Sequence, residues 1–403
     1  FISEEDKRRL GLVFEHDGEF WLSYQDFSKQ FDRLEVCLIN PNSLPEESRD
    51  SKKQWEMSVF EGEWVRGVTA GGCRNYLDTF HHNPQYRITL EDCDDDNDNL
   101  CTIFVALMQK NRRALRKIGA DCLTIGFVIY RLENPDSLPK PLTLDYFRTT
   151  QSFKRCNAFV NLREVTCRFQ VPPGVYCIIP STFEPNQQGE FLLRVFSEKE
   201  NNLQENDEQP EMGEVDDEVK EKMKPTDPSE EEKRSERIRE FFRKIAGEDL
   251  EVDWMELKEI LDYAMRNEIP RSDDSQISSL LSCICGMNMC RQMPLATVFD
   301  SVTQRGGFSK DVCRSMVAMM DIDRSGKLGF EEFKKLWLDV QTWHRVFKLH
   351  EKGNSGYLNP FDLREALRSA GYHLNAHILN ILSHRYAGKD GCISFDDFMM
   401  CAV

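Results

Sequence analysis

No run of apolar residues in this 403-residue chain approaches the ~18–20 that a membrane-spanning helix requires, and no signal-peptide pattern opens it. Basic charge is also in deficit. Lysine and arginine number 52 against 69 aspartates and glutamates, a formal net charge of −17. That balance excludes nucleic acid as the main partner, because neutralising phosphates needs a basic face. Cations and basic partners stay compatible with it. The 14 cysteines lack regular spacing, which argues against a disulfide framework and for reduced thiols in a cytosolic protein. An initiating methionine is missing too, so the chain reads as part of something larger. Its length still suffices for two or three domains with real cores.

Composition divides the chain. Residues 1–45 mix short aromatic motifs with acidic turns. Residues 50–197 have no helical period; short branched and aromatic runs recur instead, among them 101-CTIFVAL-107, 124-TIGFVIY-130, 175-VYCIIP-180 and 191-FLLRVF-196. Gly, Pro and Asn turns separate them, which predicts an antiparallel β-sandwich of about eight strands. Residues 198–237 carry sixteen acids against seven bases and almost no large apolar residue. Such a segment buries too little surface to order itself, so 198–235 is expected to be a flexible linker. The period then becomes helical. Ile238, Phe241, Phe242 and Ile245, then Leu257, Ile260, Leu261 and Ala264, then Phe395, Phe398, Met399 and Ala402 fall at i, i+3, i+4 and i+7. Residues 236–403 are predicted to be all-α.

One loop within that region carries the strongest chemical signal. The stretch 321-DIDRSGKLGFEE-332 matches D-x-[DN]-x-[DS]-G-x5-E throughout. Calcium wants six to eight hard oxygens at ~2.3–2.6 Å, so the chain must coil around it. Asp321, Asp323 and Ser325 supply the first three ligands, Lys327 its backbone carbonyl, and Glu332 both carboxylate oxygens. Gly326 makes the sharp turn, and Leu328 is placed to join a β-bridge to a partner loop. A second candidate, 246-AGEDLEVDWME-256, is one residue short. There the carbonyls of Ala246 and Glu251 would join Asp249 and a bidentate Glu256, although an A-G-E-D turn is also an ordinary acidic N-cap. Two further loops are degraded. In 351-EKGNSGYLNPFD-362, Glu351, Ser355, Tyr357 and Asp362 are weak ligand candidates; Gly353 replaces a carboxylate and Pro360 intrudes. In 386-YAGKDGCISFDD-397, Tyr386 stands where the first carboxylate belongs.

Four helix–loop–helix units opening on an 11-residue A-G-E-D loop resemble the penta-EF-hand domain of calpains. In that family the first loop binds calcium, which supports Asp249 and Glu256 as ligands. The segments 71-GGCRNYLDTFHHNPQYRITL-90, 161-NLREVTCRFQVPPGVY-176 and 180-PSTFEPNQQGEFLLRVFSEK-199 resemble the calpain β-sandwich, a C-two-like domain. Finally, 17-DGEFWLSYQDFSKQFDRLEVC-37 resembles the last strands of the papain-like protease core. The resemblance implies the C-terminal portion of a calpain large subunit: a core remnant, a C-two-like sandwich and an EF-hand domain. It also implies calcium as cofactor, a protease core acting in cis, protein substrates of the parent enzyme, and cytoplasmic location with calcium-dependent association with a phospholipid membrane.

Two departures from the family pattern matter. Calpains place the Asn that orients the catalytic imidazole in an N-P-W-G motif, and neither that motif nor a cysteine with a matching flank occurs here. The catalytic Cys, His and Asn are therefore expected before Phe1, and the chain alone is expected to be inert. Val403 ends the chain in the exit helix of the fourth hand, without the fifth hand that pairs with a small subunit, which puts that partner in doubt. Residues 275–305 form an apolar, Met- and Cys-rich insertion too short to span a bilayer. It reads as an added helix packed on the EF domain or as a docking patch for a membrane or partner.

The acidic run 91-EDCDDDND-98 imitates a calcium loop because its aspartates alternate. Neither frame has the glycine turn or the closing glutamate, so it is not an EF-hand. Glu91, Asp92, Asp94, Asp95, Asp96 and Asp98 repel one another unless a cation or basic surface compensates. In calpains the corresponding loop makes salt links to the protease core that calcium weakens, which implies an electrostatic switch. The expected function is the regulatory portion of a calcium-dependent cysteine endopeptidase; the alternative is a non-proteolytic calcium sensor or membrane adaptor.

Overall fold

The computed structural model describes residues 4–9, 22–32, 56–91, 98–115, 117, 119–198, 201–223, 228–247, 249–266, 308–353 and 355–403. The chain divides into two compact units, Phe1–Arg49 and Asp50–Val403. In the first, two helices are described, α1 (Glu4–Arg9) and α2 (Tyr24–Gln30). Ser23 caps α2 by accepting from the Asp26 N–H at 3.1 Å. A helix therefore occupies part of the stretch expected to hold strands: Ser23, a good N-cap, and the helix-compatible run behind it override the aromatic flanks.

The second unit begins with two antiparallel sheets. The first contains β1 (Glu56–Trp64), β3 (Cys101–Gln109), β6 (Glu164–Val171) and β8 (Gly189–Ser197), in the order β1-β8-β3-β6. The second contains β2 (Tyr86–Leu90), β4 (Ile125–Arg131), β5 (Lys154–Arg155), β7 (Gly174–Thr182) and β9 (Gln204–Glu205), in the order β5-β4-β7-β2-β9. Between them lies a core built around Trp64, Ile88, Val105, Phe127, Ile178 and Phe191. Trp64 packs on Phe191 with ring centroids 4.4 Å apart, and its indole N–H donates to the Pro180 carbonyl at 3.2 Å. Strands β4 and β7 read as unbroken apolar runs because both their faces are covered. Val128, Tyr130, Cys177 and Ile179 form a second cluster with Phe80 of α3 (Leu77–Phe80) and Phe147 of α5 (Leu144–Thr149). The helix α4 (Arg112–Leu115) follows β3.

The predicted flexible linker is corrected by the structure. Residues 198–235 hold β9, the short strand β10 (Glu211–Met212), α6 (Asp217–Met223) and the start of α7 (Pro228–Ile245). Its acids have partners that composition does not reveal. Asp207 accepts from Arg364 at 2.9 Å and from the Ala376 N–H at 2.5 Å. Glu208 pairs with Arg368 and lies 3.7 Å from His373, and Val219 is buried.

The helical region has its predicted period. Helices α8 (Trp254–Arg266), α9 (Lys310–Met320), α10 (Phe330–His350), α11 (Leu363–Ser369), α12 (Ala376–Tyr386) and α13 (Phe395–Ala402) share one core with α7. Strand β10 pairs with β12 (Tyr372–His373), and β11 (Tyr357–Leu358) pairs with β13 (Ile393–Ser394). The latter pairing joins the third and fourth loops. The 21-residue α10 runs from the second hand to the third. The predicted insertion at 275–305 lies outside the described residues.

Candidate calcium centre

The loops 246–256 and 321–332 form a pair because Val252 and Leu328 exchange two backbone hydrogen bonds, each 2.9 Å. Both side chains are fully buried, so the contact is fixed from the core outward. The role expected of Leu328 is thus the one it takes.

In the longer loop, Arg324 and Gly326 adopt left-handed backbone conformations, with φ of 63° and 81°. This coil turns amides inward onto the carboxylates. The Ser325 N–H lies 2.9 Å from Asp321 Oδ1 and 3.0 Å from Asp323 Oδ1, and the Gly326 N–H donates to Asp321 Oδ2 at 2.8 Å. Glu332 closes the loop, accepting from Ile322 and Gly329 at 2.8 and 3.0 Å. The Ser325 backbone N–H, followed by its hydroxyl, holds the Asp323 carboxyl below the usual carboxylate range.

Carboxylate oxygens of Asp321, Asp323 and Glu332 all lie within 4.8 Å of one another. Two ligands on opposite sides of a calcium ion stand about twice ~2.3–2.6 Å apart, so this spread suits one ion of that size. The donors are hard oxygens only, as calcium requires. Ser325 and Lys327 lie in the same coil, with the Ser325 hydroxyl 3.1 Å from the Lys327 carbonyl oxygen. Among the described residues, no other trio of His, Cys, Asp or Glu side chains converges in this way.

The shorter loop has a related closure. Asp253 and Glu256 form a reciprocal cap, in which Glu256 Oε2 accepts from the Asp253 N–H at 3.0 Å and Asp253 Oδ1 accepts from the Glu256 N–H at 2.8 Å. Glu332 bonds the Gly329 N–H in the same register, so the two terminal glutamates hold equivalent places at the starts of their exit helices. Ala246 is buried and bonds through its N–H to Phe242. Asp249 is engaged by the Lys327 ammonium from across the pair, at 2.5 Å, and Glu251 lies 4.0 Å from the same ammonium. That contact, which spacing within either loop does not reveal, holds the Asp249 carboxyl low.

The third loop has its acids already occupied. Lys348 pairs with Glu351 at 2.7 Å and Lys352 with Asp362 at 3.2 Å. Ser355 donates to the Tyr357 carbonyl at 3.1 Å, and the Tyr357 side chain is exposed. In the acidic run, Asp92, Asp94, Asp95 and Asp96 lie outside the described residues. Glu91 follows β2, and Asp98 accepts from the Leu100 N–H at 2.8 Å.

Comparison with known proteins places this geometry in a family. The description "Calpain large subunit, domain III" matches residues 60–196, "Calpain family cysteine protease" matches residues 1–38, and "EF-hand domain pair" matches residues 297–339. Calpain-A of Drosophila melanogaster is 48% identical over 452 residues, covering 100% of this chain and 54% of its own length. The chain belongs to the calpain family. Calpain-B of the same organism is 50% identical over 406 residues, with 100% and 40% covered. Calpain-9 of Rattus norvegicus is 38% identical over 402 residues, with 100% and 52% covered. The chain thus spans about half the length of the curated calpains it matches. Membership and the EF-hand match make calcium its cofactor, and the oxygen-only cluster at Asp321, Asp323 and Glu332 fits that ion.

Proposed function

We propose that this chain is the regulatory portion of a calcium-dependent cysteine endopeptidase. It binds calcium through its first two EF-hand loops and thereby controls limited proteolysis by the core to which residues 1–38 belong. The observation that carries the reading is the convergence of Asp321, Asp323 and Glu332 in a loop tied to 246–256. Asp321, Asp323, Ser325, Lys327 and Glu332 hold one ion; Asp249, Glu256 and the carbonyls of Ala246 and Glu251 hold another. Two-sided pairing lets one ion's ordering of its loop favour the other through the shared bridge.

The acidic run from Glu91 to Asp98 acts in this reading as an electrostatic contact to the core, weakened when calcium binds. The β-sandwich is of the C-two-like kind, the protein resides in the cytoplasm, and calcium promotes its association with phospholipid. The test uses the full-length parent enzyme carrying Glu332→Gln. Casein cleavage should then need more calcium to reach half-activation. An unchanged midpoint would leave a sensor or adaptor without control over proteolysis as the better reading.

A further inference from the structure

Beyond the calcium pair, the third and fourth hands face the β-sandwich, and one departure from a calcium loop, Pro360, lies in that contact. The turn Val65–Ala70 follows β1, and Val65 and Val68 are buried in the same core as the EF-hand helices. Arg66 donates from Nη1 to the Lys389 carbonyl of the fourth loop at 2.7 Å. Gly67 accepts from the Phe361 N–H of the third loop at 2.6 Å.

The fit at Gly67 is tight. A Cβ on Gly67, where φ is +75°, would sit 3.1 Å from the Gly391 carbonyl oxygen and 3.2 Å from Pro360. Pro360, which intrudes on the third loop as an ion site, is thus the seat for Gly67. Phe361 holds a left-handed φ of 75°, costly for an aromatic residue. That conformation aims its N–H at Gly67, while its ring stacks on His82 of the sandwich at 4.8 Å. At the rim Glu63 meets His384 at 2.8 Å, and inside it the buried Thr69 hydroxyl lies 3.1 Å from the Asn380 side-chain amide.

We propose that the third and fourth hands have exchanged ion binding for docking, and that their occupant is the sandwich's own Glu63–Ala70 turn. Gly353 and Tyr386 offer no carboxylate where a calcium ligand belongs, so in this proposal the dock stays closed with or without calcium. Calcium is sensed by the first pair, and the second pair fixes that sensor to the sandwich as one body. The dock does not depend on the first pair's ions, so its failure and that of the calcium reading are separable.

The test uses the whole chain in calcium and in chelator. Small-angle scattering and limited proteolysis of residues 198–227 should give the same result in both conditions. Arg66→Glu should increase cleavage there about tenfold, the effect on an opening equilibrium of losing one hydrogen bond to a charged group. To guard against simple unfolding, Glu63→Lys should loosen the contact, and Glu63→Lys with His384→Glu should restore it. Calcium binding by the first pair should persist in every variant. The proposal is overturned if Arg66→Glu leaves scattering and cleavage unchanged. It is equally overturned if Asp362→Asn lowers the number of calcium ions bound.

Discussion

Lys327 serves two loops at once: its backbone belongs to the coil that begins at Asp321, and its ammonium stands 2.5 Å from Asp249 in the neighbouring coil. This lysine therefore acts as counter-ion to a candidate ligand of the first loop, and in the proposed reading calcium competes with it there. Lys327→Met should tighten first-loop binding a few-fold, while Lys335→Met, which removes the same charge elsewhere, should have less effect. Calcium titration of both variants checks this, and equal effects would reduce Lys327 to a general charge.

Leu328 locks the pair from inside. It is fully buried, and truncation to alanine should cost roughly 2–5 kcal/mol of stability through the lost contacts and the cavity left behind. Because the bridge to Val252 would slacken, calcium binding at both loops should weaken together. Denaturant unfolding combined with calcium titration tests both parts. Stability lost with affinity intact at both loops would show that the bridge does not couple them.

Asp207 anchors what composition had marked as linker. Its side chain is 9% exposed and that of Arg364 is 15% exposed. Asp207→Ala should leave a largely buried guanidinium uncompensated and cost roughly 3–5 kcal/mol. A loss below about 1 kcal/mol, the worth of an exposed pair, would return this segment to a passive tether. Chemical denaturation provides the measurement.

His82 predicts a pH dependence. Burial, then the neighbouring His81 and Arg364, holds its pKa well below the ordinary value. Folded, the ring stays neutral; unfolded, it takes up a proton near pH ~6.5. The unfolded state therefore binds more protons as pH falls, so this contribution to stability is present above about pH 6.5 and is lost below it. His82→Phe, which keeps a ring against Phe361, should flatten the slope of stability between about pH 7.5 and 5.5. An identical slope in the variant would rule His82 out as the cause.

Much of this organisation was legible because local chemistry dictates it. The spacing of Asp321, Asp323, Gly326 and Glu332 fits a calcium coil and brings the three carboxylates together, and the period of Leu257, Ile260 and Leu261 has one buried face. The strands of the sandwich were visible as apolar runs, and eight are described within residues 50–197, where about eight were expected; the ninth strand of the two sheets, Gln204–Glu205, comes from the stretch expected to be a linker, since a two-residue piece leaves no pattern. What stayed hidden depends on partners far away in sequence. Asp207 looks like solvated acid until Arg364 is placed beside it, and Pro360 looks like damage until Gly67 is seated on it. Lys327 was read only through its carbonyl, because no spacing rule says where a flexible ammonium will reach. The Asp253–Glu256 cap, by contrast, was readable as D-x-x-E before a helix and adds support for the position of Glu256.

The most direct measurement is isothermal titration of the chain with calcium, on wild type and on Glu332→Gln. Wild type should bind ions at both paired loops, and the variant one ion fewer with the fold retained by circular dichroism. The same number of ions bound at the same affinity in Glu332→Gln would contradict the assignment of Asp321–Glu332 as the calcium centre.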